Sequence, residues 1–340
     1  MANNPKHIFS ALLACVATLV ATSCSTTKGV PEGDQLYVGL KKIKYTNYED
    51  NSYFSSTQEE MEAALDCAPN GAFLGSSYYR TPFPISLWVW NAFSESTSGA
   101  GKWISKTFGK PPVLMSWVNP ALRASVAQNT LKNNGYFQGR VKYEVLTQKN
   151  PKKAKIGYSV SVGPLYTLDS VAYLNFPPEI TQLIASRASI SKLQKGSPFS
   201  VSSLDTERNR ISNLLRDNGY YYYQPGYSSF LADTIQVPLK VQLKMLPTAT
   251  MPETAKRRWY VGKIDFYLRK QMGETLTDSV KRKRLTVYYN GKRSPIRSRI
   301  LMRNIMLRPE HMYRYRDENL TSTKLMDMGL FSMTDFKFTP

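Results

Sequence analysis

The stretch "LLRDNGYYYYQPGYSSF" occupies 214–230, and two others read almost the same way: "TLKNNGYFQGRVKYEV" at 130–145 and "KLMDMGLFSMTDFKF" at 324–338. In each, a polar-apolar helical run ends on a glycine (Gly135, Gly219, Gly329), and an apolar or aromatic pair follows. Leu131, Leu215 and Leu325 each lie four residues earlier, one turn up on the same face. Glycine is favoured just past a helix end because it takes the left-handed conformation without a Cβ clash. The aromatics after it suit a half-buried pleated surface. The repeat therefore predicts a helix C-cap running directly into a strand, three times in one chain.

Around the middle copy, 165–174 has strand composition, 177–188 carries apolar residues at helical spacing, and 196–219 supplies a second helix with Ser203 or Asp205 as its N-cap. A second strand is expected over 220–231. A third follows at 235–246, where Val237, Leu239, Val241 and Leu243 alternate with polar residues and Pro238 points to an edge or strand-start position. The order is β-α-α-β-β. In the first copy it reads as a strand at 36–46, a helix at 57–67 with Thr57 and Glu60 at capping-box spacing, a second helix at 119–135, and strands at 136–146 and 154–163. The third copy runs from a strand at 259–268 through helices at 297–307 and 316–329 into a strand at 333–338, and is expected to lack its last strand. Three α+β modules follow, each a small mixed sheet covered by two helices: 36–163 with an insertion at 68–118, 164–247, and 259–340.

The 340 residues carry 45 lysines and arginines against 25 acidic residues, a formal charge of +20. Such a balance favours anionic partners. The N-terminus decides which are within reach. Lys6 and His7 precede an uncharged run from Ile8 to about Ala21, too short to span a membrane and suited to a secretory signal. Small residues lead up to Cys24, and this resembles a bacterial lipoprotein signal: 1–23 would be removed, Cys24 lipidated, and 24–35 left as a tether. Ser25 after the Cys implies the outer membrane, with the protein facing the periplasm. Nucleic acid is thereby excluded as a partner, and outer-membrane lipid is expected instead. Of the remaining cysteines, Cys15 leaves with the signal and Cys67 reads as a small buried apolar residue.

A β-α-α-β-β unit repeated in an exported chain, with Gly and an apolar pair after its second helix, resembles the POTRA domain of the BamA/TamA outer-membrane assembly family. The lipoprotein start, the insertion and the phrase "LRPEHMYRYRDENLTSTKLMDMGLFSMTDFKF" are most similar to its lipidated TamA-like branch in Bacteroidetes-type bacteria. The resemblance covers about 36–340; the family's C-terminal barrel is absent from it. It implies a non-catalytic periplasmic arm whose partners are unfolded outer-membrane protein clients and a barrel, carried on another chain or missing from this one. Extended strands would be bound by β-augmentation at an exposed sheet edge. The expected edge is the second strand of the middle module, with Tyr220, Tyr221, Tyr222, Tyr223, Tyr227 and Phe230.

Two segments stand apart. The insertion holds four of the five tryptophans, and Trp88, Trp90 and Trp103 are candidates for a membrane interface, where such rings sit well. Between 256 and 316 there are 18 lysines and arginines against 4 acidic residues, a net of +14 that includes "KRKR", Lys281, Arg282, Lys283 and Arg284, expected to dock on anionic headgroups. Catalysis finds no support. One histidine, His311, survives processing, no G-x-S-x-G or H-E-x-x-H occurs, and "SGAGKW" lacks the phosphate-loop spacing. No metal or cofactor is expected. The alternative reading is a basic outer-membrane lipoprotein binding anionic glycan or lipopolysaccharide, with the repeats purely structural.

Overall fold

The computed structural model describes residues 26–271 and 273–339, so the expected signal segment at 1–23 and Cys24 lie outside the described residues. The chain divides at Tyr166/Thr167 into two compact units. The fold is α+β, with three small mixed sheets, each with two helices packed against it and its own apolar core. No helix among the described residues is long and apolar enough to cross a membrane.

The first unit holds β1 (Leu36–Leu40), β2 (Lys44–Thr46), α1 (Ser52–Leu65), α2 (Ile85–Phe93), α3 (Gly99–Phe108), α4 (Met115–Val118), α5 (Pro120–Asn133), β3 (Arg140–Thr147) and β4 (Lys153–Ser161). Central β4 is parallel to β1 and β2 and antiparallel to β3. Ile156, Tyr158 and Val160 of β4 bury against Phe54, Met61 and Leu65 of α1 and against Ala127 and Leu131 of α5. Helix α1 starts six residues before the expected capping box, because the Asn51 side chain accepts from Phe54 N at 2.8 Å. Thr57 is therefore buried inside the helix, donating to Tyr53 O. Glu60 accepts from the Asn134 side chain instead of closing a box.

In the second unit come β5 (Thr167–Tyr173), α6 (Pro178–Ala185), α7 (Val201–Arg216), β6 (Ser228–Asp233) and β7 (Lys240–Pro247), with β7 between parallel β5 and antiparallel β6. Ser200 takes the N-cap position of α7 without a side-chain bond, so Ser203 and Asp205 are helical, and Asp205 pairs with Arg208. Pro238 lies in the turn before β7, and Val241, Leu243 and Met245 are its buried face.

The third sheet departs from expectation. After β8 (Ile264–Tyr267) the chain forms a hairpin, β9 (Asp278–Arg282) and β10 (Leu285–Tyr289), before α8 (Ser298–Asn304) and α9 (Tyr315–Asp327). Central β10 is parallel to β8 and antiparallel to β9. The strand arrangement of the other sheets is thus reached with all three strands ahead of both helices. Residues 333–338 form no strand; Phe336 and Phe338 pack against the third core instead.

Candidate functional site: sheet edges and glycine junctions

All three repeat glycines have positive φ: 84° at Gly135, 95° at Gly219 and 65° at Gly329. In the first two copies the cap is a complete Schellman motif. Tyr136 N donates to Leu131 O (2.9 Å) and Gly135 N to Lys132 O (3.1 Å); Tyr220 N donates to Leu215 O (3.1 Å) and Gly219 N to Arg216 O (3.4 Å). The leucine four residues before each glycine therefore supplies both the acceptor carbonyl and a buried side chain. The strand does not follow directly. Gly139 N donates to Tyr136 O, and Tyr223 N to Tyr220 O, closing a turn before β3 or β6 begins. Tyr220 and Tyr223 are consequently core residues three apart in that turn, not members of an edge strand. Tyr227 ends a 3₁₀ turn, and of the six expected edge residues only Phe230 lies on β6.

The glycine carbonyls have a second use. Gly135 O accepts from Tyr166 N (3.0 Å), and Gly219 O accepts from Trp259 N (2.7 Å). Aromatic pairs accompany each bond: Phe137 on Tyr166, ring centres 5.0 Å apart, and Tyr222 on Trp259, also 5.0 Å. Around Gly219 this becomes a joint between the second and third sheets. Asp217 Oδ1 accepts from Arg316 N (2.7 Å) at the first turn of α9, an anionic group where the helix N-terminus favours one. Arg216 lies 3.9 Å from the Tyr315 ring centre and pairs with Glu318 at 3.7 Å. Tyr221 packs on Tyr313 and Phe338, and Arg258 reaches Glu179 at 3.2 Å.

The two edges of each sheet are treated differently. Those on the first-strand side carry local backbone. In the first unit Tyr37 N donates to Val113 O (2.9 Å), Leu40 N to Ser77 O (2.8 Å) and Met115 N to Gln35 O (2.8 Å), so the insertion covers β1. In the second sheet Leu168 N donates to Ser197 O (2.8 Å) and Gly196 N to Leu168 O (2.7 Å). Just ahead of β8, Val261 N donates to His311 O and Glu310 N to Val261 O. By contrast, among the described residues no backbone from another element pairs with the outer edge of β3, β6 or β9. Two side chains reach the backbone of β3, Gln128 at Val141 N and Gln148 at Leu146 O, and Ser228 N at the start of β6 closes a turn on Pro225 O. Leu231 on β6 is 60% exposed, and Tyr143 and Val145 on β3 are exposed as well.

Inside the second module sits a buried charge cluster that sequence reasoning missed. Glu207, fully buried, accepts from Tyr173 Oη (2.6 Å), Ser191 Oγ (2.9 Å) and Arg210 Nη2 (2.6 Å). Burial pushes its carboxyl up, but Arg210 first, then Tyr173 and Ser191, outweigh this and hold it below the usual carboxylate range. The cluster joins β5, the 188–191 turn and α7, so its role is structural. Cys67 is half-buried beside the first core, and burial raises its thiol.

The insertion's tryptophans divide. Trp88 and Trp90 are half-buried, with Trp88 against Phe83, while Trp103 is 62% exposed and lies beside Phe108. The "KRKR" run is a hairpin tip, not a loop. Lys281 and Arg282 end β9, Lys283 and Arg284 make the turn, and Arg284 donates to the Met302, Ile305 and Leu307 carbonyls (2.8, 3.0 and 3.3 Å). No cluster of three or more His, Cys, Asp or Glu suited to a metal occurs among the described residues.

These features define a class: α+β modules of one strand plan, two of whose helices end on a capping glycine whose carbonyl takes the amide of a later segment. No protein-family model matches the sequence, and a search of curated proteins finds no match. Among solved structures the chain is similar to POTRA3-5 of Haemophilus influenzae BamA, with 14% identity over 90% of this chain and 91% of that one, and a TM-score of 0.39. It is also similar to POTRA1-3 of the periplasmic domain of Omp85 from Anabaena (12% identity, 90% and 89% covered, TM-score 0.27). A third likeness is to the N-terminal domain of Omp85 from Thermosynechococcus elongatus (11%, 87% and 88%, TM-score 0.26).

Proposed function

We propose that the protein is a non-catalytic, POTRA-type periplasmic arm of an outer-membrane protein assembly or translocation factor, binding extended client or partner strands by β-augmentation. One observation carries this reading: local backbone pairs with β1, with β5 and with Val261 just ahead of β8, while among the described residues no other element's backbone pairs with the outer edge of β3, β6 or β9. An uncovered edge offers a row of N–H and C=O groups that an extended chain can pair with, whatever its side chains. Folded proteins ordinarily blunt such edges, so three left bare on the same side favour a binding role over an accident of packing. Lipidation at Cys24, within a signal of the lipoprotein type, would hold this arm at the outer membrane among its clients.

The test uses a photo-cross-linker at Leu231 and a synthetic ten-residue peptide of alternating apolar and polar residues. Proline at 229, 230 and 232 in turn removes one N–H at a time and samples both faces of the strand. At alternate positions that N–H points away from β7, and there the fold survives. At those positions capture is expected to fall about tenfold, since every outward pair in so short a strand contributes. Undiminished capture by variants with wild-type thermal unfolding would count against edge pairing.

A further inference from the structure

At the tip of the β9–β10 hairpin the third module opens a cleft of about 580 Å³. Lys281, Lys283 and Arg284 line it from the hairpin, Lys263 from the start of β8, and Arg308 and His311 from the loop before α9. Glu310 is the sole carboxylate on its wall, and Ile264 and Leu285 are apolar lining. Arg282 does not line it.

The charge here is uncompensated. Lys263 pairs with Asp265 at 3.2 Å, but Lys281, Lys283 and Arg308 make no ion pair among the described residues. The groups are also positioned. Arg284 is fixed by three carbonyls around the end of α8, and His311 Nδ1 donates to Pro309 O at 3.1 Å, which sets the ring's orientation. Lys283 holds φ at 47°, a left-handed turn position that glycine or asparagine usually fills. Burial first, then the like charge of Arg308, lowers the Arg284 guanidinium.

We infer that this cleft is a binding site for a phosphomonoester, carried on a lipid headgroup or free in solution. Five lysines and arginines against one carboxylate suit a doubly charged tetrahedral anion, and Arg and Lys together supply both fork-shaped and point donors. The site lies wholly in the third module and is independent of strand binding by the sheet edges.

Calorimetric titration of the purified full chain with inorganic phosphate tests this, beside titration with phosphatidylcholine vesicles containing phosphatidic acid. Saturable one-site binding is expected. A Lys283→Gln/Arg308→Gln variant should lose about thirtyfold in affinity, at two cations removed. A Lys292→Gln/Arg293→Gln control makes the same charge change at exposed positions outside the cleft and should stay within about twofold. Phosphate should raise the unfolding temperature of the control and leave that of the cleft variant unmoved, which separates lost binding from lost folding. Tighter binding to the vesicles than to free phosphate would assign a lipid headgroup; equal binding would assign a soluble phosphate. Equal losses in the two variants, or no saturable binding to the wild-type chain, would overturn the inference.

Discussion

The second and third sheets place their strands alike but hold them differently. In the second, β7 pairs with a seven-residue and a six-residue neighbour, and a buried carboxylate ties strand, turn and helix together. The third has strands of four and five residues, no buried ion cluster among the described residues, and a core completed by half-buried aromatics such as Phe331 and Phe338. Their capping glycines differ in the same sense. Gly219 completes its Schellman pair and receives Trp259; Gly329 makes the Met326 bond alone, and Leu330 beside it is 62% exposed. One strand plan can thus be made rigid by a polar cluster and a full cap, or left lightly held with its charge at a hairpin tip.

The sharpest way to break this contrast is to remove the cluster. Glu207→Ala leaves Arg210, itself only 14% exposed, without its partner, and such a loss costs about 3–5 kcal/mol. Amide exchange should accelerate across β7 far more than across β10. The pH dependence has a definite sign. The folded carboxyl lies below its ordinary value, so its stabilisation is present above an unfolded value near about 4.3 and is lost as pH falls through the folded value. The gap between wild type and Glu207→Gln should therefore close on acidification below about pH 4. A constant gap would mean the cluster contributes by packing alone.

Next in size is Gly219→Ala. At φ 95° a Cβ is strained, and it would stand 2.9 Å from Met312 Cγ and 3.2 Å from Arg258 Cβ. Left-handed strain and crowding together should cost about 2 kcal/mol or more. Because Gly219 O also accepts from Trp259 N, exchange of the Trp259 amide should quicken with it. Loss of stability with that amide still protected would show that the joint does not depend on the cap.

What could be read from the sequence follows the range of each interaction. The caps were legible because Leu, Gly and the aromatic act within six residues of one another. The tyrosines at 220–223 misled for a related reason: composition favours a strand, but the Schellman bonds force a turn that composition does not record. The third sheet held a signal that charge obscured. "LTVYY" at 285–289 has strong strand composition, yet it follows four cations that drew the reading to charge and headgroup docking instead. Edge covering was out of reach, since Val113 meets Tyr37 and Ser77 meets Leu40 only across long loops. The Glu207 cluster and the cationic cleft also join residues far apart in the chain.

The smallest expected effect sharpens the comparison most cleanly. Gly329→Ala faces no clash, since nothing lies within 4 Å of its Cβ position, and only the left-handed φ of 65° opposes it. The cost should be about 1 kcal/mol, appearing at the end of α9 as faster exchange of the Met328 and Gly329 amides. Gly219 and Gly329 share the left-handed backbone region but not the full cap, so the excess cost at Gly219 measures the joint and the second Schellman bond together. Two equal losses would mean that the left-handed φ alone sets both, and that Met312 and Arg258 yield to a methyl group without resistance.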